Sequence, residues 1–551
     1  MAFAIDEPRD NHRLAQQCRA GDIILKLTTG HETVPEPVRW HRLRSDPIWT
    51  AAVAGIAAAI GAAFFFIVYG IADEGVLLNA ADRLAHGQRL YVDFFEFLPP
   101  GGFLLTSAWL SMAGHTIEAA RLLALLSVVT TSCFCFLTCR RAGAGRATTL
   151  FLITAWLMMS QPETIAVWHH WFTTAFSMIA AWAALAQSRG VPPRRSNRYA
   201  WCAGLAGGMA AMITPTRGAL SCLAALAMPD WRSSWRSTTV SLAIGMATVP
   251  LLALLYLIAT DSLGAAASDV IGWTGSRYAD IQAVPWGAFS SRLSRPLVYV
   301  FPMAGILLLV ALASERSDRD RSATLRVAVA FAFAGFIGCF PRPDSMHIAA
   351  NIPLALPLVG RCLARLARQA APAVRVAVAT AIATQVIAPA IIFASLVDDA
   401  RGIPMTQTPR GRVKLIREDG LPEMMALVAK LPAGDGMMFY PNLPMMPFLT
   451  DRRHIARLDV FFPQYTTAAQ YRAACFDTVA GARWLVIDRA WNAISIRNVY
   501  PATADANPPE KVAFEHAIAA NYELASRRGM FDLLRRRPDA ALSDCRQIGG
   551  G

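Results

Sequence analysis

Two adjacent carboxylates, Asp73 and Glu74, open the stretch DEGVLLNAADRLAHGQRLYVDFFEFLPPGG, directly after an uncharged apolar run from Ile48 to Ala72. Carboxylates avoid the end of a lipid-buried helix unless something there needs them. At that height a carboxylate can take a proton from an attacking hydroxyl. Alternatively, acids in a first helical turn simply complement the helix dipole. Val76, Leu77, Ala80, Ala81, Leu84 and Ala85 share one helical face, and Asn79, Asp82, Arg83 and His86 the other. Gly87 supplies the stop, so the spacing predicts a short interfacial helix with its apolar side toward lipid. LYVDFFEF then reads as extended, Pro99-Pro100 forbids helix, and GFLLTSAWLSMAG is apolar but too short to cross.

Other groups could share this chemistry. Arg217 sits at a break in the apolar stretch ITPTRGAL. A cation at such depth costs about 3 kcal/mol on insertion scales and usually has an anionic partner; a donor phosphate or a lipid headgroup would serve. FPRPDSMH presents Arg342, Asp344 and His347 between two apolar runs. These read either as a site for phosphate or sugar hydroxyls, or as a surface ion pair with a bystander histidine. VWHHWF sets His169 beside His170, but neighbouring helical positions point apart, so its tryptophans read as interfacial anchors rather than a metal site.

The frame that holds these groups follows from composition. The chain has 551 residues, of which 54% are hydrophobic and only 17% charged; soluble chains carry about 25% charged residues. Apolar stretches lie at 48–72, 121–138, 147–161, 170–187, 199–213, 216–228, 238–259, 296–313, 325–340, 348–361 and 375–396. The fold class expected is a polytopic α-helical membrane protein with about eleven transmembrane helices and interfacial helices in its first outer loop. The net charge of +13 comes from arginines gathered in short connections between the apolar runs. They read as topology signals rather than a nucleic-acid surface.

The positive-inside rule then places 1–47 in the cytoplasm as a tail, 48–396 as the transmembrane domain with loop 73–120 outside, and 397–551 as a periplasmic domain. Segment 199–228 has both flanks inside, so it is two short spans or a re-entrant hairpin. The polar, acid-bearing N-terminus lacks the pattern of a cleaved signal peptide. A bacterial inner membrane, with the N-terminus cytoplasmic, fits this arrangement.

The pattern DEGVLLNAADRLAHGQRLYVDFFEFLPPGG … AARLLALL resembles the first outer loop of lipid-linked glycosyltransferases of the GT-C superfamily, in the branch of protein mannosyltransferases and aminoarabinose transferases. The shared elements are the acidic pair after the first span, a helix rich in Ala and Leu, Gly followed by Tyr-x-Asp-Phe, Pro-Pro, and Arg121 opening the next span. Hydropathy resembles the family over 48–396 and the detailed motif over 73–125. The resemblance implies an inverting transfer from a polyprenyl-phosphate sugar to a lipid, glycan or protein acceptor. It implies Asp73 as base, Glu74 in support, and Tyr91 and Asp93 near the donor sugar. It requires no cofactor and leaves a divalent metal open.

GMMFYP, ARWLVIDR and YELASRRGMFDLLRRR read as strands and 421–431 and 510–521 as helices, which makes 397–551 a small α/β domain suited to stabilising the outer loops. Cys475 and Cys545 lie there and can pair if the domain is extracytoplasmic. Cys133, Cys135, Cys139, Cys202, Cys222 and Cys339 fall in or beside spans as packing residues. The rival function is a transporter or lipid flippase of envelope precursors, or a non-catalytic assembly scaffold. Ion-coupled transport commonly needs ionisable residues in the spans, and the apolar stretches hold essentially no Asp, Glu or Lys.

Overall fold

A computed structural model describes residues 46–69, 72–187, 193–228, 235–314, 319–369, 371–416, 420–432 and 434–548; nearly all of the expected cytoplasmic tail lies outside them. Within lipid only a helix satisfies every backbone donor and acceptor of a single segment, and each apolar stretch falls on one. These helices are α1 (Asp46–Phe64), α4 (Ile117–Ala142), α5 (Arg146–Thr164), α6 (His169–Gln187), α7 (Pro193–Ile213), α8 (Pro215–Ala225), α9 (Trp235–Ala259), α10 (Val300–Ser314), α11 (Arg319–Ile337), α12 (Ser345–Gln369) and α13 (Pro372–Gly402). Five of them, α1, α4, α9, α12 and α13, have the length and hydropathy to cross a bilayer. Leu251 and Leu255 on α9 and Ile387 and Ile391 on α13 are exposed, as lipid-facing residues would be. The protein is a mostly helical polytopic membrane protein.

Between α1 and α4 lie α2 (Ala72–Ala85) and α3 (Gly101–Ala113). The chain does not enter α2 straight from α1. Helix α1 stops at Phe64, and Ile67–Val68 forms a short strand, β1, paired in parallel with β3 (Gly411–Leu415) through Ile67↔Lys414 and Val68↔Leu415. Strand β2 (Met405–Thr408) pairs antiparallel on the other side of β3. Residues before and after the helical bundle therefore share one small sheet, and everything from Trp49 onward forms one compact unit. The boundary expected at 396/397 falls inside α13.

Helix α2 differs from the expected interfacial helix. Its apolar face, with Leu77, Leu78, Ala80 and Ala81, is buried in a protein core rather than turned to lipid. Its polar face is also covered, because Asn79 and Arg83 are buried against Asp459. LYVDFFEF is not extended either: a turn at 91–93, with Tyr91 at a φ of 71°, breaks the alternation. In the segment 199–228, α7 and α8 turn back on each other at Thr214. The contact is so close that a Cβ on Gly218 would lie 2.0 Å from the Ala211 nitrogen.

Beyond β3 come α14 (Leu421–Val428), β4 (Met437–Tyr440), α15 (Met445–Thr450), α16 (Ala468–Gly481), β5 (Trp484–Asp488), α17 (Ala493–Val499), α18 (Pro509–Asn521), β6 (Tyr522–Arg528), β7 (Phe531–Arg536) and α19 (Ser543–Arg546). The strands form a sheet of order β4-β5-β7-β6, parallel between β4 and β5 and antiparallel elsewhere. All four coincide with segments read as strands in the sequence. Cys475 on α16 and Cys545 on α19 form a disulfide, the pairing left open above.

Helix α2 meets α15 through Gly75, where a Cβ would stand 2.2 Å from the Met445 nitrogen and 2.5 Å from the Pro444 carbonyl carbon. Rigid backbone cannot yield as a side-chain tip can, so overpacking here costs about 1–3 kcal/mol. Gly75→Ala is expected to lower the apparent unfolding temperature in detergent and to loosen α2 by hydrogen exchange; an unchanged melt would refute this close packing.

Candidate active site

The acidic pair at the start of α2 divides its labour. Glu74 turns inward and is wholly buried: Arg121 Nη2 donates to its Oε2 at 2.8 Å, and the Val167 backbone N–H donates to its Oε1 at 3.0 Å. Arg121 also donates to the carbonyls of Ile67 (2.8 Å) and Ile165. Both Glu74 oxygens are thus committed to the protein, which leaves the side chain as a clamp between α2, β1, α4 and the loop before α6. Asp73 turns the other way. The Trp168 indole N–H donates to its Oδ2 at 2.7 Å, and Asp73 lines a cavity.

The cavity lies between the bundle and the C-terminal region. Val76, Leu77 and Phe103 form part of one wall; Leu458, Val460, Phe462, Tyr465 and Tyr500 form the facing one. The C-terminal region is fastened there by a buried ion pair, Arg83 Nη2 to Asp459 Oδ1 at 2.8 Å, to which Asn79 adds a donor at 2.8 Å. Asp459 reaches the cavity, as does Glu96 of the LYVDFFEF stretch. Glu96 is 3% exposed and accepts no hydrogen bond or ion pair among the described residues. Burial above all, and then the Asp459 carboxylate, push its own carboxyl well above the usual range.

A second set of groups is joined to Asp73 through Trp168. The Trp168 ring lies 4.5 Å from that of His170 and 5.8 Å from that of His347, centroid to centroid. His170 accepts a hydrogen bond at Nδ1 from Arg217. The remaining Arg217 donors reach Asn351 Oδ1 (3.0 Å), Thr174 Oγ1 (3.0 Å) and the Ala350 carbonyl (3.2 Å). Arg217 is thus a buried cation whose partners are all neutral. Asp344 pairs with Nδ1 of His347 at 2.7 Å and with Nε of Arg342 at 2.8 Å. Burial raises its carboxyl, but His347 and Arg342 more than offset this and hold it below its ordinary value. Arg342 also donates to Gln282 Oε1 at 3.2 Å, and Gln282 lines the cavity.

The structure therefore brings Asp73, Arg217, Asp344, His347 and Arg342 into one connected region, with Glu74 beneath it. It does not bring Tyr91 or Asp93 there. The Tyr91 ring is buried and its hydroxyl donates to the Leu98 carbonyl at 2.6 Å. The Asp93 side chain is 36% exposed and faces Arg89. The residues missed were Glu96 and the run Trp168, His169 and His170, which joins the two halves of the site. Among the described residues no three His, Cys, Asp or Glu converge to hold a metal ion, so the donor set does not fit one and no step below runs through a metal.

Glu96 carries a pH signature. Folding raises its pKa, so the native protein keeps a proton that the unfolded chain releases near pH ~4.3. Its stabilising contribution is complete below that value and falls as pH rises, by about 1.4 kcal/mol per unit until the native carboxyl also ionises. Glu96→Gln cannot ionise. Its apparent unfolding temperature is expected to gain on wild type between about pH 5 and pH 8; parallel curves would argue against the raised value.

No family model and no curated protein matches the chain. Solved structures do. The crystal structure of ArnT from Cupriavidus metallidurans bound to undecaprenyl phosphate aligns with a TM-score of 0.58 at 14% identity, covering 90% of this chain and 98% of that one. The apo ArnT structure from the same organism gives 0.54 at 13% identity, covering 89% and 98%. The cryo-EM structure of the arabinofuranosyltransferase AftD from Mycobacteria gives 0.51 at 15% identity, covering 90% of this chain and 40% of that one. Over about nine-tenths of its length the chain shares the fold of these solved structures.

Proposed function

We propose that the protein is an inverting membrane glycosyltransferase, which moves a sugar from a polyprenyl-phosphate donor to a cell-envelope acceptor at the periplasmic face. The observation that carries this is the placing of Asp73: a carboxylate oriented by Trp168 opens on a cavity, and a buried arginine with only neutral partners lies on the far side of that tryptophan and His170. The ArnT structure bound to undecaprenyl phosphate supports the choice of carrier.

The residues divide the reaction as follows. The acceptor oxygen attacks the anomeric carbon from the face opposite the phosphate, forming the new C–O bond as the bond to the phosphate oxygen breaks. Its proton passes to Asp73. Polyprenyl phosphate departs with the bonding electron pair, and Arg217, buried behind Trp168 and His170, acts on the charge that gathers there through its field rather than by contact. His347, held by Asp344, stands beside His170 and keeps that arginine-bearing wall in place. Glu74 acts through position alone.

The membrane side rests on two independent supports. Arginine-rich connections mark the cytoplasmic face, and a disulfide between Cys475 and Cys545 suits an oxidising compartment for the C-terminal region. The inner membrane, with eleven crossings and the N-terminus inside, is the arrangement that satisfies both.

Purified protein is to be incubated with radiolabelled polyprenyl-phosphate sugars and membrane extract. Asp73→Asn should transfer label at least about a hundredfold more slowly than wild type, the usual scale for loss of a general base, while melting at the same temperature. Equal transfer would remove Asp73 as base, and flux across vesicles without transfer would favour transport. A reporter enzyme fused after Gly551 should be active only outside the cytoplasm; activity inside would invert the topology.

A further inference from the structure

The acceptor is constrained by what the cavity wall offers. Its polar groups are the carboxylates of Asp73 and Asp459, the Glu96 carboxyl, whose proton burial retains, the Gln282 amide and the His169 imidazole, and no Arg or Lys is among the described residues that line it. Two of those carboxyl groups have unused capacity. Glu96 accepts nothing from the described residues, and Asp459 Oδ2 is buried without a partner, its other oxygen being held by Arg83 and Asn79. Buried polar atoms are almost always hydrogen-bonded, so Asp459 Oδ2, an orphan beside the cavity, calls for a ligand.

The rest of the wall is aromatic in part, beside aliphatic residues such as Val76, Leu77, Leu458 and Val460. Phe97 packs 5.1 Å from Trp273, which packs 4.5 Å from Tyr465, and Phe462 lies 4.9 Å from Tyr500. Phe97 and Tyr500 are only half-buried, so ring surface remains for a ligand. A sugar ring matches both features. Its C–H face stacks on aromatic rings, and its hydroxyl edge serves carboxylates and an amide. A phosphorylated ligand does not match: a phosphomonoester carries about −1.5 to −2 charges, and would lose its hydration beside the Asp73 carboxylate with no lining cation in contact.

We infer that this cavity is the acceptor subsite and that it takes an uncharged sugar ring, selecting against phosphorylated acceptors. The inference rests on the reading of Asp73 as base, since the hydroxyl that Asp73 deprotonates must occupy the cavity that Asp73 faces. The platform comes largely from the C-terminal region, through Phe462, Tyr465 and Tyr500. Specificity for the acceptor is therefore carried by the part of the chain farthest in sequence from the acidic pair.

Saturation-transfer NMR on the full chain in detergent tests this, with methyl glucoside and methyl arabinofuranoside as probes beside their 6- and 5-phosphates. Saturation should reach the ring C–H protons of the uncharged glycosides, and the phosphates should bind about tenfold more weakly or worse, the scale of one close contact between like charges. Tyr465→Ala should weaken glycoside binding about three- to tenfold, the worth of one aromatic contact, and Tyr465→Phe should restore it, which separates a lost platform from a misfolded chain. Phosphates that bind as well as their parents, or glycoside binding unmoved by Tyr465→Ala, would overturn the inference. Because binding is read independently of turnover, the two failures are distinct. Glycosides bound without transfer by wild type would sink the proposed function and leave the sugar site. Transfer to phosphorylated acceptors as readily as to plain ones would do the reverse.

Discussion

The ion pair between Glu74 and Arg121 sets the geometry on which the rest depends. Removing one partner of such a pair typically costs about 3–5 kcal/mol, whereas replacing both by apolar groups can be neutral, so the pair is better understood as a fixing device than as a source of stability. Its value lies in what else the two side chains hold. Glu74 also accepts from the Val167 N–H, and Arg121 also donates to the carbonyls of Ile67 and Ile165. Asp73 precedes Glu74 and Trp168 follows Val167. Fixing the inner residue of each pair brings the outer two together, and the indole N–H meets the carboxylate at 2.7 Å. One buried contact thus aims the candidate base.

A second constraint closes the site from above. Helix α2 has no lipid-facing stripe because it is packed on two sides, by α3 below and by α15 through Gly75. Arg83 and Asn79, polar residues that would otherwise face water, become the anchor for Asp459. The parallel pairing of β1 with β3 repeats the attachment at the other end of the helix. The C-terminal region is consequently a wall of the cavity rather than an appendage, and that is why 397–551 does not separate from the bundle.

Legibility in the sequence followed the range of the signals. Span positions rest on local hydropathy, and every apolar stretch carries a helix, although the first ends at Phe64 and runs on into β1; the strands of the C-terminal sheet rest on local alternation, and they too lie where they were read. Asp73, Arg217 and the Arg342–Asp344–His347 group stood out because charge beside lipid is costly wherever it occurs. Glu96 escaped for a specific reason. Reading LYVDFFEF as extended puts Tyr91 and Asp93 on one face, but the left-handed φ at Tyr91 ends that alternation, sends Asp93 toward Arg89 and turns Glu96 inward. The histidines escaped for another. Adjacent positions on a helix do diverge, but Trp168 precedes the first turn of α6, so it can reach Asp73 while its ring packs on His170. Tertiary pairing decides both cases, and no window of sequence contains it.

On the proposed mechanism, the distribution of charge across Trp168 gives the site two walls. On one side the acids face the cavity; on the other Arg217 is buried among an imidazole, an amide, a hydroxyl and a carbonyl. Neutral acceptors satisfy its hydrogen bonds without cancelling its charge. A carboxylate in that place would quench the field and leave little for a leaving group, whereas preorganised donors that keep their charge act most strongly where charge develops during reaction. Separating the acids from the arginine by an aromatic ring also prevents the pairing that Glu74 and Arg121 make one layer deeper. The same two residue types are therefore joined where geometry must be fixed and held apart across Trp168, where the proposed transfer would run.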